Sequence, residues 1–210
     1  MEDVLDLYEK SYDPKHPVIC FDERPCQLIG DAIIPIPMKS GSPKREHYEY
    51  VRNGTCCIFM AFEPQAGKRM VGVKTHRTKV DYANFMKELA EQYPHAESIR
   101  LVQDNLNTHT AGSFYAALNP DEAFELAKRF EFHFTPKKGS WLNMAEIEPS
   151  ALSKLSKQCL DRRIETLDKL AAEVDSWEQE RNAAKATVRW KFNKNDARIK
   201  LQRHYFSLQK

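Results

Sequence analysis

The chain has 210 residues, 41% hydrophobic and 30% charged, a balance that fits a globular protein with one domain of ordinary size and a sizeable core. A multidomain machine is excluded, and no apolar run approaches the length of a bilayer span. Thirty-two Lys and Arg against 30 Asp and Glu leave a net charge of +2, too weak a field to mark a polyanion-binding protein unless the cations cluster locally.

The opening MEDVLDLYEK carries acids where a secretory signal has a basic segment, so a cytoplasmic protein is expected. Its Val4, Leu5, Leu7 and Tyr8 predict a short amphipathic helix that stops before Pro14 and Pro17. Val18 to Phe21 predicts a buried strand that ends by delivering Asp22. Residues 33–45, with Pro35, Pro37, Gly41 and Pro43, predict an exposed loop. Thr55 to Phe62 and Met70 to Val73, joined by a turn at Pro64–Gly67, predict a hairpin. Val80 to Tyr93 has a helical period through Phe85, Met86, Leu89 and Ala90. Ile99 to Val102 is a short strand running into Gln103, Asp104 and Asn105.

Helices are expected over Ala111 to Leu118 and Asp121 to Phe130, the second opened by Asn119 as cap and Pro120 as first helical residue. Glu131 to Thr135 alternates as a strand, and a loop of Lys137, Lys138, Gly139 and Ser140 leads to a helical pattern after Asn143. This order predicts an α/β fold, a mixed sheet with helices packed on it. The last third is different. Ile164, Leu167, Leu170, Ala171, Val174 and Trp177 make one apolar helix face. From Arg181 to Tyr205 eight Lys or Arg meet the single acid Asp196, interleaved with Trp190, Phe192 and Tyr205. Such a stretch is either a phosphate-binding arm or a helical tail whose aromatics tuck into the core.

Cys20, Cys26, Cys56, Cys57 and Cys159 form no C-x-x-C pair, so buried reduced thiols are expected and zinc is not. Three acids stand out by position: Asp22 and Asp104 at strand ends, and Glu146 in the first turn of the helix after Asn143. On neighbouring strands the two aspartates emerge at one sheet edge, where a packed helix can bring Glu146 beside them. Clustered carboxylates repel unless neutralised, and hard oxygen ligands select Mg²⁺ or Mn²⁺. Each acid also has a structural reading, Asp22 and Asp104 as turn caps and Glu146 as the partner of Asn143 in a capping box. Glu148 is the neighbouring candidate, rotated to another helix face.

The segments CFDERP, LVQDNLNTHT, FTPKKGSWLNMAEIE, QCLDRRI, ERNAAKATVRWKF and NDARIKL closely resemble the catalytic domain of transposases of the insertion-sequence 630 family, in the mariner-like superfamily of DDE transposases. The resemblance covers essentially the whole chain in order. It implies a ribonuclease H-like mixed sheet flanked by helices, Asp22, Asp104 and Glu146 as catalytic metal ligands, and two Mg²⁺ ions for which Mn²⁺ can substitute. The implied activity is cut-and-paste transposition, with double-stranded DNA as partner, both as element ends and as a TA target. A homodimer or a pairing with full-length transposase is implied too, as is a nucleoid-associated place in the cytoplasm. His109 matches the family's DNxxxH pattern, which points to the scissile phosphate; alternatively it hydrogen-bonds its own backbone. Lys137, Lys138, Arg189, Lys191, Arg198 and Lys200 are the candidate phosphate contacts. Residues 1–17 are expected to be a linker-helix remnant, 18–160 the catalytic domain, and 161–210 a C-terminal helix and basic arm.

Two departures from the family follow. The helix-turn-helix domains that normally precede the catalytic domain are not in this sequence, so the expectation is a chain without its own end-recognition module, catalytic or only DNA-binding and regulatory. Pro149 stands where the family continues an aliphatic helix former. Either it kinks a helix begun at Asn143, at on the order of 3 kcal/mol, or it starts the helix itself.

Overall fold

The computed structural model describes residues 1–146, 151–158 and 160–202. Five strands form one sheet: β1 (Val18–Asp31), β2 (Tyr50–Glu63), β3 (Lys68–Lys74), β4 (Ile99–Gln103) and β5 (Phe130–Phe134). Their spatial order is β3-β2-β1-β4-β5. β1, β2 and β3 pair antiparallel, while β1, β4 and β5 pair parallel. The sheet is therefore mixed, as expected.

Both faces are covered, which is why β1 and β2 carry unbroken apolar runs and not a simple alternation. On one face Ile19, Phe21, Phe59 and Ala61 meet Tyr82, Phe85, Met86 and Leu89 of α2 (Lys79–Glu91). The other face carries Cys20, Ile58, Met60 and Phe62. It packs against Val4, Leu5 and Leu7 of α1 (Glu2–Glu9) and against Leu170, Val174 and Trp177 of α5 (Leu167–Ala183). Thr78 caps α2 with a full capping box, and Asn119 caps α3 (Pro120–Lys128), whose first residue is the proline read from sequence. α5 lies along the outer side of β3: the Arg69 N–H donates to Asn182 Oδ1 (2.7 Å), Asn182 Nδ2 donates to the Arg69 carbonyl (2.8 Å), and the Val71 N–H donates to Glu178 Oε2 (2.9 Å).

Three local expectations change. β1 does not end at Asp22 but runs to Asp31, because β2 pairs with it along its whole length while β4 accompanies it only from Val18 to Cys20. Residues 33–45 are the exposed loop expected, the far tip of that β1–β2 hairpin, tied by bridges Ile36↔Arg45 and Lys39↔Ser42. Ala111–Ala116 is a 3₁₀ helix, not an α-helix. Glu146 sits in a turn that precedes α4 (Ala151–Gln158) and not in a helix. Glu148 and Pro149 lie outside the described residues, as does Cys159; the other four cysteines are free thiols. Among the described residues no helix is long and apolar enough to cross a membrane.

Candidate active site

Asp22 lies two residues past the last β1–β4 pair, Cys20↔Val102, and Asp104 lies two residues past the same pair on the other strand. Parallel strands in register thus bring both aspartates to one edge of the sheet. Asp22 is not a strand end but sits where β1 loses its parallel neighbour, whereas Asp104 directly follows the last residue of β4, as expected.

Glu146 reaches this edge through Asn143, which is 2% exposed. Asn143 Nδ2 donates to the Phe21 carbonyl (2.8 Å) and stands 3.4 Å from Asp22 Oδ2. Its Oδ1 accepts from the Ala145 N–H (3.1 Å) and its carbonyl from the Glu146 N–H (3.0 Å). One amide side chain therefore locks the Glu146 turn onto β1. The Tyr8 hydroxyl adds a second tie by donating to the Leu142 carbonyl (2.7 Å). The spacing of Asn143 and Glu146 suggests a capping box, whereas the structure turns the Asn143 side chain across to a strand 122 residues away. We expect Asn143→Ala to leave the Phe21 carbonyl buried and unpaired, destabilising the fold by about 1–3 kcal/mol. Divalent-cation binding should weaken along with it, and titration calorimetry beside a urea melt checks both.

The three carboxylates interact through Asp22. Burial, then the facing charge of Glu146 and more weakly that of Asp104, push Asp22 up to about 8, against the pull of the Glu23 N–H that donates to Asp22 Oδ1 at 2.7 Å. Asp22 and Glu146 also share a side-chain hydrogen bond. An open cleft of about 420 Å³ lies over them, walled by Glu23, Arg24, Ser156 and Lys157. A more enclosed cavity of about 360 Å³, between α1 and residues 187–190, contains none of the acids. A buried carboxylate made reluctant to ionise by two others is a place where a cation relieves repulsion, and the all-oxygen donor set suits Mg²⁺ or Mn²⁺. Among the described residues, no three His, Cys, Asp or Glu side chains stand in a ready-made metal cluster. Asp104 is engaged elsewhere, its Oδ1 hydrogen-bonded to His109 Nδ1.

His109 is not a surface contact. Its side chain is 1% exposed, stacked on Tyr82 and edge-on to Phe21, with Nε2 3.5 Å from Glu23 Oε2. Burial alone would hold the imidazole down, but Asp104 and Glu23 outweigh it and push His109 up to about 9. The expected direct reach toward a phosphate gives way to a ring enclosed between two carboxylates.

Lys137 and Lys138 are exposed in the loop after β5, Lys138 in a left-handed conformation (φ 64°). β5 pairs with β4 through Gln103↔Phe134, so this loop flanks Asp104. Arg189, Lys191 and Lys200 are exposed. Arg198 is exposed as well, but its guanidinium fork holds Glu2 on α1 (2.7 and 2.8 Å), which takes it away from a phosphate role. The aromatics of the basic arm turn inward: Trp190 packs on Tyr8 (5.3 Å) and Trp141, and Phe192 on Trp141 (5.5 Å). Tyr205 lies outside the described residues. Sequence reasoning missed Glu23, Tyr82 and Gln103 as supports of the site. Glu23 and Gln103 lie inside the quoted CFDERP and LVQDNLNTHT segments, the signal that could have singled them out.

The family model described as "DDE superfamily endonuclease" matches residues 17–171. The chain is similar to the solved Mos1 mariner paired-end complex with Mn, with 14% identity and a TM-score of 0.52, over 88% of this chain and 55% of that one. It is also similar to the Mos1 transposase paired-end complex with left transposon end, with 12% identity and a TM-score of 0.44, over 90% and 61%. The chain thus spans only about half to three-fifths of those proteins. No curated protein matches it. The first likeness shows the fold: the sheet is the ribonuclease H-like one, mixed and flanked by helices.

Proposed function

The chain belongs to the DDE superfamily endonucleases, and from that premise we propose that it is a transposase catalytic domain. In this reading it cuts DNA and joins the freed 3′ ends to a TA target, with Asp22, Asp104 and Glu146 holding two divalent cations. The observation that carries this reading is the convergence of Asp22 and Glu146 in one cleft, with Asp104 close enough for its charge to act on Asp22. Mg²⁺ or Mn²⁺ bound there supplies activation of the attacking hydroxyl and stabilisation of the leaving 3′ oxygen.

The chain's own residues do the rest. Asp22 gives up its proton when a cation arrives, so binding is tighter at higher pH up to about 8. Asn143 fixes the Glu146 turn, and the exposed Lys137, Lys138, Arg189, Lys191 and Lys200 hold backbone phosphates. A second copy, or a full-length relative, completes the assembly that handles two DNA ends. The β1–β2 hairpin tip supports this, with Ile34 90%, Met38 76% and Tyr48 80% exposed, an apolar projection that a lone soluble chain has little reason to present.

A second reading, a DNA-binding remnant that does not cut, is favoured by the exposed cations of the basic arm, Arg189, Lys191 and Lys200, which can hold phosphates without the acids. One experiment separates the two. A short duplex with free 3′ hydroxyls and a supercoiled plasmid are incubated with the chain and Mn²⁺. Strand joining that requires the cation and is lost in Asp104→Asn carries the transposase reading. Salt-sensitive DNA binding that survives both chelator and Asp104→Asn, without joining, moves the conclusion to the remnant.

A further inference from the structure

We propose that Glu23 and His109 form a positioning pair that sets the orientation of the Asp104 carboxylate for cation binding. The proposal rests on the reading of Asp22, Asp104 and Glu146 as a cation site. Arg77, Glu23, His109 and Asp104 form a chain of alternating partners. Arg77 Nη1 donates to Glu23 Oε1 (3.1 Å), Glu23 Oε2 faces His109 Nε2 at 3.5 Å, and His109 Nδ1 is hydrogen-bonded to Asp104 Oδ1. Exposure falls along it from Arg77 (58%) to Glu23 (6%) and His109 (1%) and rises again at Asp104 (43%). His109 is thus sealed inside, Glu23 shows only a small part of its side chain to the cleft, and the carboxylate at the end of the chain stands at the surface.

The imidazole is fixed from every side. Fully buried Gln103 donates from Nε2 to the His109 carbonyl (2.8 Å) and accepts at Oε1 from the Tyr82 hydroxyl (2.8 Å). The ring stacks on Tyr82 with centroids 5.0 Å apart and meets Phe21 edge-on at 5.2 Å. A ring held this way cannot follow Asp104, so Asp104 follows the ring. Nε2 is buried with no hydrogen-bond partner, and the Glu23 carboxylate is the group that answers it. Glu23 also touches the other aspartate, because its N–H donates to Asp22 Oδ1 (2.7 Å). One residue of β1 thereby fixes Asp22 through its backbone and Asp104 through His109. This goes beyond a structural ion pair, since its effect is on the cation ligands and not only on the core. Partners that orient metal-ligating groups typically change affinity 10- to 100-fold when removed.

The test is Mn²⁺ titration calorimetry on the full chain, with melting temperatures measured alongside. The variants are Glu23→Ala, His109→Asn (which keeps a donor near Nδ1), their combination, and Asp104→Asn as control. Glu23→Ala should weaken Mn²⁺ binding about tenfold when measured well below a melting temperature that the lost buried partner of His109 lowers. In the His109→Asn background the same change should cost nothing further, because the link is already cut. Equal losses in both backgrounds would show Glu23 acting merely as a nearby charge and overturn the proposal. So would unchanged affinity in Glu23→Ala while Asp104→Asn abolishes binding, an outcome that leaves the cation site standing. No binding by the parent chain would overturn the cation site and the proposal together.

Discussion

Asp22→Asn should abolish strand cleavage and joining, by a factor on the order of 10³ or more, and at the same time make the metal-free protein harder to melt at neutral pH. The two effects have one cause. Asp22 is buried and faces Glu146 and Asp104, which together hold its carboxyl up at about 8, whereas in the unfolded chain it ionises at about 4. Between those values the folded state binds more protons than the unfolded one, so stability falls as pH rises from about 4 to about 8 and is flat beyond. The amide has the same shape and no charge, so the variant lacks this slope. Its margin over the parent therefore widens with pH until about 8. Melting curves in chelator across that range check the stability half, and a joining assay with Mn²⁺ checks the other. A variant no more stable than the parent at pH 8 would mean that Asp22 is not the repelled carboxylate described.

The second large effect belongs to the residue just before it. Phe21 is completely buried, with Phe59, Tyr82, Phe85 and His109 rings at 5.7, 5.5, 5.6 and 5.2 Å from its own. Phe21→Ala removes the hub of that cluster and should cost about 3–5 kcal/mol, transfer and cavity terms together. For a chain of this length that corresponds to a fall in melting temperature on the order of 10 °C. Activity should fall even where the variant is folded, since the space opened lies beside the His109 ring. Urea unfolding against the parent measures the stability change; a loss below about 1 kcal/mol would mean that the neighbours collapse into the gap.

What could be read from the sequence was local. Apolar runs marked β1, the β2–β3 hairpin and β4, and the Asn119–Pro120 pair marked the start of α3. Asp22 and Asp104 stood out because each follows an apolar strand, and parallel register does bring them together. The reach of β1 was not legible, because residues 23–27 break the apolar run and are at least partly exposed, and past Cys20 the only strand that pairs with β1 is β2. Asn143 looked like a helix cap for the same reason that it is useful: a short amide satisfies whichever backbone groups the fold brings near, and here one of them is the Phe21 carbonyl. His109 was visible as a residue of interest, yet nothing in a linear pattern says that α2 and β1 close over it. The basic arm posed an even choice between phosphates and core. Trp190 and Phe192 chose the core, through contacts with Tyr8 and Trp141.

The side chains of α5 have a consequence for how far this polypeptide can be shortened. Asn182 and Glu178 occupy backbone groups of Arg69 and Val71 on the outer rim of β3. Clipping the chain ahead of Leu167 would uncover that rim together with the apolar face of Met60 and Phe62 beneath Leu170, Val174 and Trp177. Bare rims of this kind recruit strands from neighbouring molecules. A minimal fragment trimmed to the three acids would therefore precipitate through self-stacking, and expression work should keep the helix in place.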